Sequence, residues 1–174
     1  MPAVTRTSLS ALLAAAFLLI LSSPEARADH RYQGYYYPEV TVQENYEPRA
    51  QRLPQASRQL RIAFVTGISA DQGKKAYPAQ VVAFTKGGED DSLIFTALYD
   101  GQMETAYRTR AFFAQLTAVA RLLPAFQNQP ALEQDYTFFD LAYMMGFTSI
   151  TATDGKSFTY RVVLDPAGEH SEQQ

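Results

Sequence analysis

LIFTALYDGQMETAYRTRAFFAQLTAVARLL, residues 93–123, contains the change of period on which the fold turns. Its opening Leu93-Ile94-Phe95-Thr96-Ala97-Leu98 is a short apolar run stopped by Asp100-Gly101, which reads as a strand. From Met103 onward the spacing changes. Met103, Tyr107, Phe112, Leu116, Val119 and Leu123 recur near i+3, i+4 and i+5, with Ala106, Phe113 and Ala120 widening the stripe, so an amphipathic helix is predicted. Asp100 or Gln102 is placed to begin it and Pro124 to end it. Roughly twenty residues at 1.5 Å each make about 30 Å, enough to cross a sheet diagonally.

Upstream, Arg61-Ile62-Ala63-Phe64-Val65-Thr66-Gly67 reads as a first strand, because Ile62, Phe64 and Ile68 alternate with smaller residues. Ser69 and Gln72 stand in capping-box relation for a short helical turn that Pro78 would stop. Ala79-Gln80-Val81-Val82-Ala83-Phe84-Thr85 reads as a second strand, and Gly87-Gly88 lets the chain reverse. Gly67 reads as a turn glycine as well.

Downstream, after a loop around Asn128-Gln129-Pro130, Thr137-Phe138-Phe139-Asp140 forms a capping box that opens a helix through Met145, with Gly146 as its left-handed stop. Residues 148–153 and 156–164 read as strands joined by Asp154-Gly155, a pair suited to a type I′ hairpin turn. Phe158, Tyr160 and Val162 share one face of the last strand, and Thr159, Arg161 and Val163 the other. The expected fold is α+β: a mainly antiparallel sheet of about five strands packed by one long and one short helix, with an extended N-terminal arm. The loops joining the first three strands are too short for helical crossovers, which argues against a doubly wound sheet.

The chain has 174 residues. Arg6 precedes an apolar run from Leu9 to Leu21, and Ala26-Arg27-Ala28 offers small residues where a signal peptidase reads them, so residues 1–28 read as a signal peptide cleaved before Asp29. Thirteen mostly apolar residues rise only about 20 Å as a helix, short of a ~30 Å hydrocarbon layer. The expected location is therefore the periplasm, with membrane contact only during export. Residues 29–58 read as a Tyr- and Pro-rich extended arm, 59–165 as a single domain, and 166–174 as a polar tail. In the arm, Pro38, Pro48 and Pro54 oppose a long helix or an interior strand.

Composition excludes several chemistries. The chain has no cysteine, which removes disulfides, thiolate metal sites and thiol nucleophiles. Its two histidines, His30 and His170, lie near the ends, leaving none for a catalytic triad or a multi-histidine metal centre. Taking Arg6, Arg27 and Glu25 away with the leader leaves 13 basic and 17 acidic side chains, a net charge of −4 that argues against nucleic-acid binding. No cofactor motif is found, since Thr66-Gly67-Ile68 lacks the later glycines that would let the backbone approach a pyrophosphate. Glu89-Asp90-Asp91 lacks the spacing of a calcium loop and reads as a solvated turn. Lys74, Lys75 and Lys86 read as surface lysines or as an anion contact.

The candidate anion or partner surface comprises Tyr35, Tyr36 and Tyr37 in the arm with Arg108 and Arg110 on the long helix. Tyrosines offer large amphipathic area at low entropy cost, and they either meet a sugar, peptide or partner or wrap back onto the domain. Glu104 and Arg108 form a favourably oriented i,i+4 pair, and Arg110 is placed to reach a carboxylate such as Asp140. Nothing in the spacing selects a catalytic pair from the carboxylates. The expectation is a non-catalytic binding or scaffolding domain with an unidentified periplasmic protein or small-molecule partner. A small enzyme using carboxylate, Arg or Tyr groups is the alternative.

With Phe64-Val65-Thr66-Gly67, Phe84-Thr85-Lys86-Gly87, Ala106-Tyr107-Arg108-Thr109-Arg110-Ala111, Phe138-Phe139-Asp140-Leu141 and Met145-Gly146-Phe147, the chain resembles a group of small exported proteobacterial proteins of unassigned function. Some of that group carry the label molybdopterin-guanine dinucleotide biosynthesis protein A. The resemblance spans about Tyr35 to Val163 and implies a Gram-negative periplasmic setting without supplying catalytic residues. The guanylyltransferase that the label names has a Leu-x-Gly-Gly loop after its first strand. Here Thr66-Gly67-Ile68-Ser69 stands instead, so nucleotidyl transfer ranks last.

Overall fold

The computed structural model describes residues 39–74, 80–127, 129 and 132–165. Its elements run β1 (Val42–Tyr46), α1 (Arg58–Gly73), β2 (Val81–Lys86), β3 (Ser92–Ala97), α2 (Ala106–Arg121), a 3-10 turn (Pro124–Phe126), α3 (Phe138–Met144), β4 (Ser149–Thr153) and β5 (Thr159–Leu164). The α+β expectation holds, but the sheet is mixed rather than mainly antiparallel. Its order is β1-β5-β4-β3-β2, with β1/β5 and β3/β4 parallel and β2/β3 and β4/β5 antiparallel. Among the described residues, two long helices of 16 residues and one of 7 pack on it, not one long and one short.

The expected first strand is the core of helix α1. Its buried residues are Arg61, Phe64, Val65 and Ile68, an i, i+3, i+4, i+7 set, whereas Ile62 is exposed. Ser57 caps the helix by accepting from the Leu60 amide at 3.3 Å. The Ser69–Gln72 box therefore lies inside a helix already under way. Gly67 is no turn residue either. A Cβ there would stand 2.6 Å from Leu123 Cδ2, so the missing side chain lets the end of α2 approach α1 closely.

Part of the expected arm is a sheet edge. Val42 to Tyr46 pair in parallel with Tyr160 to Leu164, an edge position that tolerates the nearby prolines. Tyr35, Tyr36 and Tyr37 lie outside the described residues.

Helix α2 starts later than expected, at Ala106, with Thr105 accepting from the Arg108 amide at 3.3 Å. Its buried line is Thr109, Phe113, Leu116 and Ala120. Tyr107, assigned to the stripe, is instead 83% exposed. Met103 is buried, but from the turn that precedes the helix. The capping box of α3 is present, with the Thr137 amide donating to Asp140 Oδ2 at 2.8 Å, and Gly146 ends the helix at φ +90°.

The β4–β5 hairpin forms with a different turn. Asp154 does not take the positive φ of a type I′ turn, and a five-residue loop, 154–158, replaces the two-residue one. Asp154 Oδ1 accepts from the amides of Lys156, Ser157 and Phe158 at 2.8–2.9 Å, which supplies the turn's hydrogen bonds from a side chain.

The three described helices cover one face of the sheet. Leu93, Phe95 and Ala97 of β3, Ile150 and Ala152 of β4, and Tyr160, Val162 and Leu164 of β5 join the core cluster with Phe64, Phe113, Leu116 and Phe138. Phe138 stacks on Phe113 at 5.7 Å and on Phe64 at 6.0 Å, so its ring joins all three helices.

Candidate functional site

The alternating side chains of the same strands form a second face outside that cluster. Strand register places Gln43, Arg161, Thr151, Ile94 and Phe84 in one row across the sheet, and Asn45, Val163, Ser149, Ser92 and Lys86 in the next. A groove of about 250 Å³ crosses this face, lined by Val40, Lys86, Ser92, Ile94, Ser149, Thr151, Thr159 and Arg161. Hydroxyl groups therefore outnumber apolar side chains on its floor. Ser149 Oγ donates to Ser92 Oγ at 3.2 Å, and Thr159 Oγ1 donates to Thr153 Oγ1 at 3.1 Å.

Arg161 is the exceptional member. Its Nε is buried and has no hydrogen-bond partner, and among the described residues no carboxylate pairs with its guanidinium. Lys86 also lines the groove, and among the described residues that line it there is no acid. A half-buried cation without a counter-charge is costly, because lost hydration is not replaced. An anion seated over it would replace that hydration.

The arginines singled out in the sequence are already satisfied. Arg108 forms an ion pair with Glu104 at 3.5 Å and donates to the carbonyl of Gly101. Arg110 does not reach Asp140. It pairs with Glu44 on β1 and donates to the Tyr160 hydroxyl at 3.2 Å, while Tyr160 donates to the other oxygen of Glu44. Burial, with Glu44 beside it, pushes the Tyr160 phenol above its ordinary range. This cluster ties edge strand β1 to α2. Arg108 and Arg110 are not brought together with the sheet-face groove.

Asp140 is held by other partners. It is fully buried and accepts from the Tyr46 hydroxyl at 2.9 Å, the Arg49 amide at 2.8 Å, Arg49 Nη2 at 2.9 Å, and the Thr137 amide and hydroxyl at 2.8 and 2.9 Å. Burial works against its charge, but the Arg49 and Thr137 amides, the Arg49 guanidinium and Tyr46 outweigh it and hold the carboxyl below its usual range. This carboxylate fastens the chain leaving β1 to the head of α3.

The Glu89-Asp90-Asp91 run is likewise structural. Asp90 turns at φ +54° and pairs with Arg58 at 2.5 Å, which together with Thr85 lowers its pKa. The Glu89 carbonyl accepts from buried Arg61. Among the described residues no group of three or more His, Cys, Asp or Glu side chains could hold a metal ion. None of the described helices is long and apolar enough to cross a membrane.

Compared with known proteins, the chain matches no family model, no curated protein and no solved structure.

Proposed function

We propose that the protein is an exported periplasmic domain that binds rather than transforms its ligand, and that it holds an oxyanion, carboxylate or phosphate, in the sheet-face groove. The observation that carries this reading is Arg161, a cation in a hydroxyl-lined groove with a buried, unpartnered Nε and, among the described residues, no acid beside it. Its planar fork suits two parallel hydrogen bonds to an oxyanion. Acid–base catalysis would want a carboxyl held protonated near neutral pH. Among the described residues the carboxyls with clearly displaced ionisation, Asp90, Asp140 and Asp154, are all displaced downward and engaged in structural bonds. That direction favours binding over the alternative of a small enzyme.

The test is a titration of the full exported chain with inorganic phosphate and with citrate, followed by amide NMR. Shifts confined to the groove-lining residues of β2 to β5 and to Val40 are expected, weakened at least about tenfold by Arg161→Gln, the scale of one lost charged hydrogen bond. Arg110→Gln should leave them unchanged. Shifts spread over the surface, or insensitive to Arg161→Gln, would refute the site. Export is checked separately by mass: periplasmic material should begin at Asp29, and Ala28→Arg should block processing.

A further inference from the structure

We infer that a second groove, between the head of α2 and the start of β2, is a binding site for a neutral saccharide. It encloses about 300 Å³, the lower end of the small-molecule range. Three carboxamides from three different parts of the chain line it: Gln80 before β2, Gln102 in the turn before α2, and Gln115 on the helix. Each carboxamide both donates and accepts, as a sugar hydroxyl does. Gln102 Oε1 is buried without a hydrogen-bond partner on a residue that lines the groove, a deficit that a ligand hydroxyl would remove.

Tyr107 and Gln115 stand eight residues apart on one side of α2, about 12 Å along the axis, with Ala111 between them. The small Ala111 leaves the concavity, and Tyr107, at 83% exposure, stands at its border. A phenol exposed to this degree on a packed helix offers a flat apolar face to the C–H face of a sugar ring. Met103 and Phe112 supply the apolar part of the lining, Phe112 braced edge-on against Phe95 at 5.3 Å. The charge in the groove is already spent. Arg108 is engaged by Glu104 and by the Gly101 carbonyl, so among the described lining residues a charged ligand finds no unpaired counter-charge. This separates the groove from the sheet face that holds Arg161, and the inference does not depend on the anion reading.

The experiment titrates the full exported chain separately with maltotriose, cellotriose and chitotriose, and reads the side-chain amide resonances of Gln80, Gln102 and Gln115. At least one trisaccharide should shift all three with millimolar or tighter affinity. Tyr107→Ala should weaken that binding roughly three- to tenfold through lost ring contact, and Gln102→Leu roughly tenfold through lost hydrogen bonding. Arg161→Gln should leave it unaltered. Because Tyr107 is exposed, its variant should melt as the parent does, so lost binding there reports the site and not the fold. Absence of shifts with all three sugars, undiminished shifts in Tyr107→Ala, or the same amides answering only to a neutral tripeptide would overturn the inference.

Discussion

Replacing Asp140 by Asn keeps the shape of the side chain and removes its charge, which isolates the role of the buried carboxylate. One oxygen becomes a nitrogen that donates. Placed at Oδ2, that nitrogen would face four donors, from Tyr46, Arg49 and Thr137; placed at Oδ1 it faces only the Arg49 amide. The second arrangement leaves one backbone donor unmet, at about 1–3 kcal/mol, and removes charge assistance from the surviving bonds. A loss of about 3 kcal/mol results, at the low end for a broken buried pair because the Arg49 side chain is 46% exposed and keeps its water. At an m value of roughly 1.5 kcal/mol/M, the urea midpoint should fall by about 2 M at pH 7. The folded-state pKa of Asp140 is depressed, so its contribution is fully present above the unfolded value of about 3.9 and is lost as pH falls through the folded value. The gap between parent and variant should thus stay constant from pH 7 to about 5 and narrow below about 4. A loss under about 1 kcal/mol, or a gap that does not narrow in acid, would refute the reasoning.

Two further perturbations test the packing. Leu116→Ala should cost about 2–5 kcal/mol through transfer energy and a cavity, against less than about 0.5 for its exposed neighbour in Gln115→Ala; equal losses in urea melts would mean that α2 presents another face. Gly146→Ala should lower stability by about 1 kcal/mol or more, since the residue sits at φ +90° and a Cβ would stand 2.9 Å from Arg61 Nη1. An unchanged thermal midpoint in Gly146→Ala would contradict the cap.

Strands β2 to β5, the core helix α2 and the capped helix α3 were legible because their signals are local: alternation, a helical apolar line, Thr137 with Asp140, and glycines where the chain reverses. Helix α1 was not, for a physical reason. Ile62, Val65, Thr66 and Ile68 are β-branched, and Ile62 with Phe64 imitates a strand's alternation. Whether the alternating set or the Arg61, Phe64, Val65, Ile68 set is buried depends on partners far away in sequence, Phe126, Phe138 and Phe147 against Phe64 and the Glu89 carbonyl against Arg61. The local signal that favours the helix is Ser57, the N-cap just ahead of Arg58. Strand β1 was hidden in the same way, since an edge strand is fixed by its single neighbour and Val42 to Tyr46 acquires that neighbour more than a hundred residues later.

The candidate sites show a sharper limit. Arginines are conspicuous in a sequence as charges, but availability for a ligand depends on which acids the fold delivers to them. Arg108 meets Glu104 from its own helix, a partner that the i,i+4 spacing predicts. Arg110 meets Glu44 from β1, which requires the β1–β5 pairing to be known first. Arg161 points away from Glu44 because adjacent strand register puts the two on opposite faces: Gln43 stands beside Arg161, and Glu44 beside Val162. A shift of β1 by one residue would bring Glu44 onto the groove side, opposite Arg161, and would deprive Arg110 and Tyr160 of their partner. The same pairing therefore neutralises one arginine and leaves the other without an acid among the described residues, so the register of a single edge strand decides whether a carboxylate enters the groove beside Arg161.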